Sequence, residues 1–241
     1  MAIRRHGGLP VRANLTHVLF ARATMNLVRW MMAVALLAAP AAAQKNDWLI
    51  VPGQRVGSIT ATTTRAELDE LFGKENVHDG SFEGGEVPEA ATVIYPGDSS
   101  AALAITWDRE RPATIHICFS TQTGPCRWRT ASGIRIGLPI RELGKLNGKG
   151  FQAGGFAQDR GQVVSWRKGA LEEDPAGCGH LVVRLSPAGE AEGRELSKGE
   201  SDLVKQLQGE KPYASSYLPL LELNTIVSAL EMQFTGTGCA K

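Results

Sequence analysis

The feature that most constrains the fold is a self-match in the sequence at a constant offset of 75 residues. Two segments share an isoleucine and, a few residues later, the pattern Glu-Leu-x-x-Leu-x-Gly. The matched pairs are Ile59 with Ile134, Glu67 with Glu142, Leu68 with Leu143, Leu71 with Leu146, and Gly73 with Gly148. Leucines three residues apart lie on one face of a helix, and a glycine two residues later can end that helix in the left-handed conformation. Each segment therefore predicts a short helix with a defined end.

The two predicted helices begin at matching positions but with different chemistry. Thr64 and Glu67 have the spacing of a capping box, in which each side chain accepts a hydrogen bond from the other residue's backbone. In the second segment Pro139 stands where the first helical residue is expected, and Glu142 falls in the first turn. Both starts favour a helix at the same place in the repeat.

Pieces of sequence with alternating apolar residues follow each helix, a pattern that is typical of strands. The predicted strands are residues 92–95, 102–107 and 113–119 in the first copy, and residues 163–166, 180–185 and 225–234 in the second. The sequence thus predicts an α+β fold with two repeats, residues 44–130 and 131–241. Each repeat is a short helix packed on a three-stranded antiparallel meander, and the two meanders are either packed together or joined as one continuous sheet.

A charged segment, residues 186–212, interrupts the second repeat. It is rich in Gly, Glu, Lys and Ser, and Leu196, Leu203, Val204 and Leu207 have helix-compatible spacing. The segment is interpreted as a surface insertion, with a partner-docking helix as the alternative.

Residues 1–43 have the pattern of an export leader. A short basic segment that begins at Met25 precedes an apolar run, residues 30–39, and small residues end it near Ala43. This order predicts a cleaved signal peptide, with residues 1–24 as an upstream extension. The apolar run is too short to cross a membrane, which takes about 20 residues. We therefore expect a periplasmic or secreted protein without a membrane span.

The charge balance excludes one class of function. The chain has 26 basic and 25 acidic residues, but residues 1–43 hold five arginines and no Asp or Glu. The remainder therefore has an excess of four acidic residues. A nucleic-acid-binding protein needs a basic surface, so nucleic acid is not expected among its partners. The apolar fraction of 43% also argues against a disordered chain.

All four cysteines follow the predicted leader, at Cys118, Cys126, Cys178 and Cys239. An even number of cysteines in an exported chain favours two disulfides, for which three pairings exist. Cys118 and Cys126 flank a turn-rich segment between strand-like stretches, so a bridge across a hairpin is preferred, with Cys178 bonded to Cys239. A metal site is disfavoured, because no Cys-x-x-Cys or histidine cluster accompanies these cysteines.

The repeat followed by a meander resembles the small helix-plus-sheet modules of the beta-lactamase-inhibitor-protein-like superfamily. The resemblance covers Ile59 to Phe119 and Ile134 to Phe234. It implies a non-catalytic envelope module that binds other proteins through a face of its sheet. Two features depart from that superfamily and its lipoprotein relatives: no lipidation cysteine follows the leader, and the positions of the four cysteines cannot be matched to a pattern there.

No catalytic motif is present in the sequence. Nucleophilic catalysis needs a base near Ser or Cys, but there is no Gly-x-Ser-x-Gly and no His-Glu-x-x-His. The histidines after the leader are His78, His116 and His180, for which surface or pairing roles are favoured. Paired carboxylates such as Glu172 and Glu173 stand in exposed-looking loops, which disfavours acid–base chemistry. No cofactor, no metal and no enzymatic activity are predicted.

The face of the sheet away from the helices supplies the candidate binding residues. If Ile115, Ile117 and Phe119 pack under the helices, strand alternation points His116 and Cys118 the other way. The same alternation adds Thr106, Trp128 and Arg184, and Trp and Arg are enriched in interfaces. The alternative is that Trp128 is covered by the 186–212 insertion or by the other repeat.

Three hypotheses of function follow. The first is a non-catalytic, inhibitor-like binding module with an envelope protein as its partner, in the form of a monomer or weak dimer. The second is a structural or assembly factor of the envelope, and the third is a hydrolase of unrecognised type.

Overall fold

The fold is taken from a computed structural model, which describes residues 47–84, 87–119, 125–157, 161–173, 178–209 and 211–235. All of them belong to one unit, Lys45–Lys241, so the two predicted repeats are parts of a single unit. The predicted leader and the cleavage position near Ala43 lie outside the described residues. No helix within the described ranges is long and apolar enough to cross a membrane.

The described residues form an α+β fold of short helices and mainly antiparallel strands. The strands are β1 (Leu49–Val51), β2 (Arg55–Val56), β3 (Ile59–Thr60), β4 (Val77–Phe82), β5 (Glu89–Ile94), β6 (Leu103–Asp108), β7 (Arg111–Ile117), β8 (Arg129–Thr130), β9 (Gln152–Ala153), β10 (Val163–Ser165), β11 (His180–Ser186), β12 (Tyr213–Ala214) and β13 (Ile226–Gln233). The helices are α1 (Arg65–Phe72), α2 (Ile140–Asn147), α3 (Ala188–Ala191), α4 (Lys198–Gln206) and α5 (Leu218–Glu222).

Both helices expected from the self-match are present, and α1 and α2 begin and end 75 residues apart. Thr64 and Glu67 form the predicted capping box at the start of α1. The second helix begins one residue later than expected, because Pro139 is its N-cap rather than its first helical residue. Gly148 ends α2 in the left-handed conformation, with φ of 68°. Gly73 ends α1 with φ of 83° but an extended ψ, so only its positive φ matches the prediction.

One six-stranded antiparallel sheet runs through both repeats in the order β11-β13-β7-β6-β5-β4. The option of one continuous sheet is therefore the one observed, since β7 of the first repeat pairs with β13 of the second.

The two repeats do not contribute equally, which corrects the prediction of two three-stranded meanders. The first repeat supplies four strands, because β4 forms from a polar segment in which no strand was expected. The second supplies only β11 and β13, since β10 belongs to a separate three-stranded sheet with β9 and β12. Beyond the two helices, the internal duplication stays a prediction.

One face of the large sheet is apolar and belongs to the core. Strand pairing aligns Ile115 and Ile117 of β7 with Met232 and Leu230 of β13, and all four side chains are buried. The same buried cluster contains Leu68 of α1 and Leu143 of α2, the leucines that the two copies of the repeat share. Both repeat helices therefore contribute their first shared leucine to the core. The second one differs between the copies, because Leu71 is 40% exposed whereas Leu146 is half-buried against the core.

Trp128 lies in this core and not on the open face of the sheet. The strand β8, which begins directly after Trp128, pairs in parallel with β1. The Trp128 side chain is 0% exposed, its Nε1 donates a hydrogen bond to the Ala101 carbonyl at 2.9 Å, and its ring meets that of Trp48 edge-on, with centroids 5.0 Å apart. The prediction of Trp128 as a binding residue is thus wrong, because its ring is buried against Trp48 and hydrogen-bonded to Ala101.

The predicted insertion folds as two short helices. α3 contacts β13, and α4 begins at a capping box formed by Ser197 and Glu200. Leu203 and Val204 of α4 are half-buried against the core, and Leu207 is fully buried. The apolar side of α4 is therefore covered by this chain, which favours the surface-insertion interpretation over a partner-docking helix.

Candidate functional site

A groove of about 760 Å³ opens on the second face of the large sheet, where the two repeats join. Its lining includes Phe82, His116 and Phe119 from the first repeat and Arg184, Ile226 and Glu231 from the second. Two of the four predicted binding residues, His116 and Arg184, are thus brought together. Ligand-binding clefts commonly have volumes of about 300 to 1,000 Å³, so the groove has the size of a binding site.

Three ionisable side chains meet across three neighbouring strands in this groove. Glu231 on β13 lies directly opposite His116 on β7, and Arg184 comes from β11 on the other side. Arg184 donates to both carboxylate oxygens of Glu231, from Nε at 2.9 Å and from Nη2 at 3.4 Å. His116 Nδ1 is 4.0 Å from the same carboxylate. Glu231 therefore links the two predicted residues.

The pKa values of this cluster follow from its burial and its charges. Burial lowers the pKa of His116 below its ordinary value, and Arg184 lowers it further, while Glu231 and Glu89 act in the opposite direction. Burial alone would raise the pKa of Glu231. The hydrogen bond and charge of Arg184, together with His116, outweigh burial and hold the Glu231 pKa below its ordinary value. At neutral pH the cluster therefore consists of an ion pair beside an uncharged imidazole.

Phe82 covers one face of the His116 ring. The two rings are stacked, with centroids 3.7 Å apart and planes inclined by 15°. A flat sheet would hold their strands about 14 Å apart, because β5 and β6 lie between β4 and β7. The sheet must therefore curl over the small side chains on this face, and Ala91 and Ala104 are indeed buried there. This curl closes the face over β5 and β6 and leaves it open over β7 and β13.

The Cys118–Cys126 disulfide, predicted from the sequence, is present and lines one end of the groove. It joins the end of β7 to the segment before β8, with the two Cα atoms 6.0 Å apart. β7 and β8 belong to different sheets, so the bridge does not cross a hairpin as predicted. Phe119 does not pack under the helices as predicted, because the strand ends at Ile117 and Cys118 has a positive φ of 48°. Its ring instead meets that of Phe82 edge-on, with centroids 5.6 Å apart. Cys178 is also disulfide-bonded. Its predicted partner, Cys239, lies outside the described residues.

Thr106 does not reach the groove. Its pairing with Thr114 on β7 places it on the same face of the sheet as His116, as predicted. However, its side chain is buried, in the part of the face over which the sheet curls. The alternation therefore indicated the correct face for Thr106, but not its exposure.

Two groups of residues in the groove were not predicted from the sequence. Glu231 is the charged residue between two apolar ones in the last predicted strand, so its alternation could have placed it on the open face. Glu190 and Glu192, at the end of α3, line the groove from the insertion and are exposed. No local pattern in the sequence indicates which strand the insertion lies against.

Two smaller cavities, of about 480 and 380 Å³, share Trp166, Glu172 and Glu173 in their linings. Glu173 is half-buried rather than exposed, which corrects the loop context inferred from the sequence. Burial raises its pKa, while a hydrogen bond from the Leu181 N–H, 3.1 Å from each carboxylate oxygen, acts against this rise. Glu173 thus accepts a backbone hydrogen bond at the outer edge of β11.

Within the described ranges, no group of three or more His, Cys, Asp or Glu side chains has the arrangement of a metal site. Comparison of the chain with protein-family models, with curated proteins and with solved structures finds no match. The resemblance to the beta-lactamase-inhibitor-protein-like superfamily therefore stays a prediction.

Proposed function

We propose that this chain is an exported, non-catalytic binding module whose groove at the junction of the two repeats receives part of an envelope protein. The observation that carries the proposal is the groove itself, which has the volume of a binding cleft and contains His116 and Arg184. Its lining includes half-buried aromatic rings and Arg184, and aromatic residues and arginine are enriched in interfaces.

The ionisable groups of the groove favour binding over catalysis. A general acid needs a raised pKa to hold its proton near neutral pH, whereas that of Glu231 is lowered. The Glu231 carboxylate is already bound by Arg184 through two hydrogen bonds, and one face of the His116 ring is covered by Phe82. These contacts fix the shape of the groove.

Two further features support the export part of the proposal. The signal-like pattern of residues 1–43 directs a chain out of the cytoplasm. The Cys118–Cys126 disulfide suits an oxidising compartment, where such bonds form and persist.

The test is capture of the partner in the native cells. The tagged protein is lightly cross-linked in whole cells, purified and analysed by mass spectrometry, alongside an Ala229→Trp variant. Ala229 is half-buried and lines the groove, so an indole there fills it. The matched control is Glu70→Trp, which adds the same side chain at an exposed position of α1.

We expect one stoichiometric envelope protein with the unchanged chain and with Glu70→Trp, and its loss with Ala229→Trp. Recovery of the protein alone, or equal recovery of a partner with all three chains, would contradict the proposed function.

A further inference from the structure

The charges around the groove are not balanced, which gives information about its occupant. Among the residues that the structure describes, four charged side chains line it: Arg184, Glu190, Glu192 and Glu231. Arg184 and Glu231 neutralise each other in their ion pair, and burial favours the uncharged form of His116. Two negative charges remain, on Glu190 and Glu192.

These two carboxylates are available to a partner. Both are exposed, and in the described part of the chain neither has a cation within 4.0 Å. The neighbouring Arg194 forms its ion pair with Glu200 instead, at 2.7 Å. The charge of Arg194 also acts on Glu192, but without an ion pair. A positive charge that enters the groove would therefore meet two carboxylates that form no ion pair with the described residues.

The rest of the lining is largely apolar. The side chains of Phe82, Phe119, Ile136 and Ile226 all line the groove, and each is only half-buried. Contact with a partner would remove their remaining apolar surface from water, which is favourable. Aromatic rings also attract cations placed over their faces. The groove thus combines an apolar surface with two unneutralised carboxylates.

We infer that the groove binds a peptide segment in which lysine or arginine stands next to apolar side chains. This inference rests on the proposed function and adds the chemistry of the partner. The apolar side chains contact the half-buried rings and isoleucines, while the basic groups pair with Glu190 and Glu192. The acidic excess of residues 44–241 also attracts a basic partner at a distance.

The test uses synthetic peptides and the protein as purified from its native cells. The probe is a fluorescein-labelled Ser-Leu-Lys-Phe-Lys-Leu-Ser, and its Kd is measured by fluorescence anisotropy. In one comparison peptide glutamate replaces both lysines, and in another serine replaces all apolar residues. We expect binding of the first peptide only, weakened as the salt concentration rises.

The decisive variant is Glu190→Gln combined with Glu192→Gln. Its matched control is Glu195→Gln with Glu222→Gln, which removes two negative charges at exposed positions that do not line the groove. We expect the groove variant to raise the Kd of the lysine peptide about tenfold, as loss of two exposed ion pairs implies, and the control to leave it within about twofold. Unchanged unfolding midpoints show that both variants keep the fold.

Three results overturn the inference: equal Kd values for the two variants, equal binding of the glutamate peptide, or no binding of the lysine peptide up to about 1 mM. The proposed function is tested separately by Ala229→Trp. If that variant loses the cellular partner while the Glu190 and Glu192 variant keeps it, the groove is the binding site but a basic segment is not its ligand.

Discussion

Replacement of Trp128 tests whether this residue stabilises the fold or binds a partner. We expect Trp128→Ala to lower the free energy of unfolding by about 4 kcal/mol, since truncation of a buried tryptophan costs about 3 to 5 kcal/mol. Three lost interactions make up this cost: packing of a fully buried ring, the edge-on contact with Trp48, and the hydrogen bond to Ala101. These three interactions involve the same side chain, so their separate free energies cannot be added.

A second variant separates packing from hydrogen bonding. Trp128→Phe keeps an aromatic ring but leaves the Ala101 carbonyl without its donor, and an unpaired buried group costs about 1 to 3 kcal/mol. We therefore expect a loss of about 2 kcal/mol. The control is Val164→Ala, at a side chain that is 45% exposed, where a change within about 0.5 kcal/mol is expected.

The assay is urea unfolding followed by circular dichroism. With a slope of about 2 kcal/mol/M, Trp128→Ala lowers the midpoint by about 2 M and Trp128→Phe by about 1 M. Trp128→Phe should still bind the lysine peptide with unchanged Kd, because Trp128 does not line the groove. A Trp128→Ala protein within 1 kcal/mol of the unchanged chain, or a weakened Kd in folded Trp128→Phe, would refute this account.

Three further predictions concern the disulfide and two titrating groups. Cys118→Ser with Cys126→Ser should lower the free energy of unfolding by about 2.5 kcal/mol, because the bond closes a short loop; an unchanged urea midpoint without reductant would contradict this. Since burial lowers the pKa of His116 in the folded state, stability should fall as the pH drops below 6.5, and His116→Gln should flatten this fall; an unchanged slope would exclude His116 as its cause. Glu173→Gln should raise the free energy of unfolding at pH 7, because it removes a half-buried charge but keeps an acceptor for Leu181. This gain should disappear below pH 4.5, where the Glu173 carboxyl is protonated in both states, and a gain independent of pH would contradict it.

Much of the fold could be predicted because its signals are local. The capping box at Thr64, the leucines of α1 and α2, and the glycines after them each depend on residues within one or two turns of helix. The same holds for the Cys118–Cys126 disulfide, whose cysteines are eight positions apart. These features need no information about which strands pair.

Features that depend on long-range pairing could not be predicted. Trp128 precedes β8, which pairs with β1 from 80 residues earlier in the chain. β4 was missed because its sequence, Val-His-Asp-Gly-Ser-Phe, lacks apolar alternation, although pairing with β5 makes it a strand. The candidate site was predicted in part for the same reason. Alternation indicated the faces of His116 and Arg184, but only the register of β13 places Glu231 between them.

The groove depends on the join between the two halves of the chain. Without the second half, β7 would be an open edge, and exposed edges readily pair with other chains. Pairing with β13 covers that edge and brings Glu231 opposite His116, while α3 adds carboxylates at the rim. The first half contributes Phe82, which reaches His116 because the sheet curls over two alanines. Since each half supplies only part of the lining, a binding site at this groove requires both halves in one sheet.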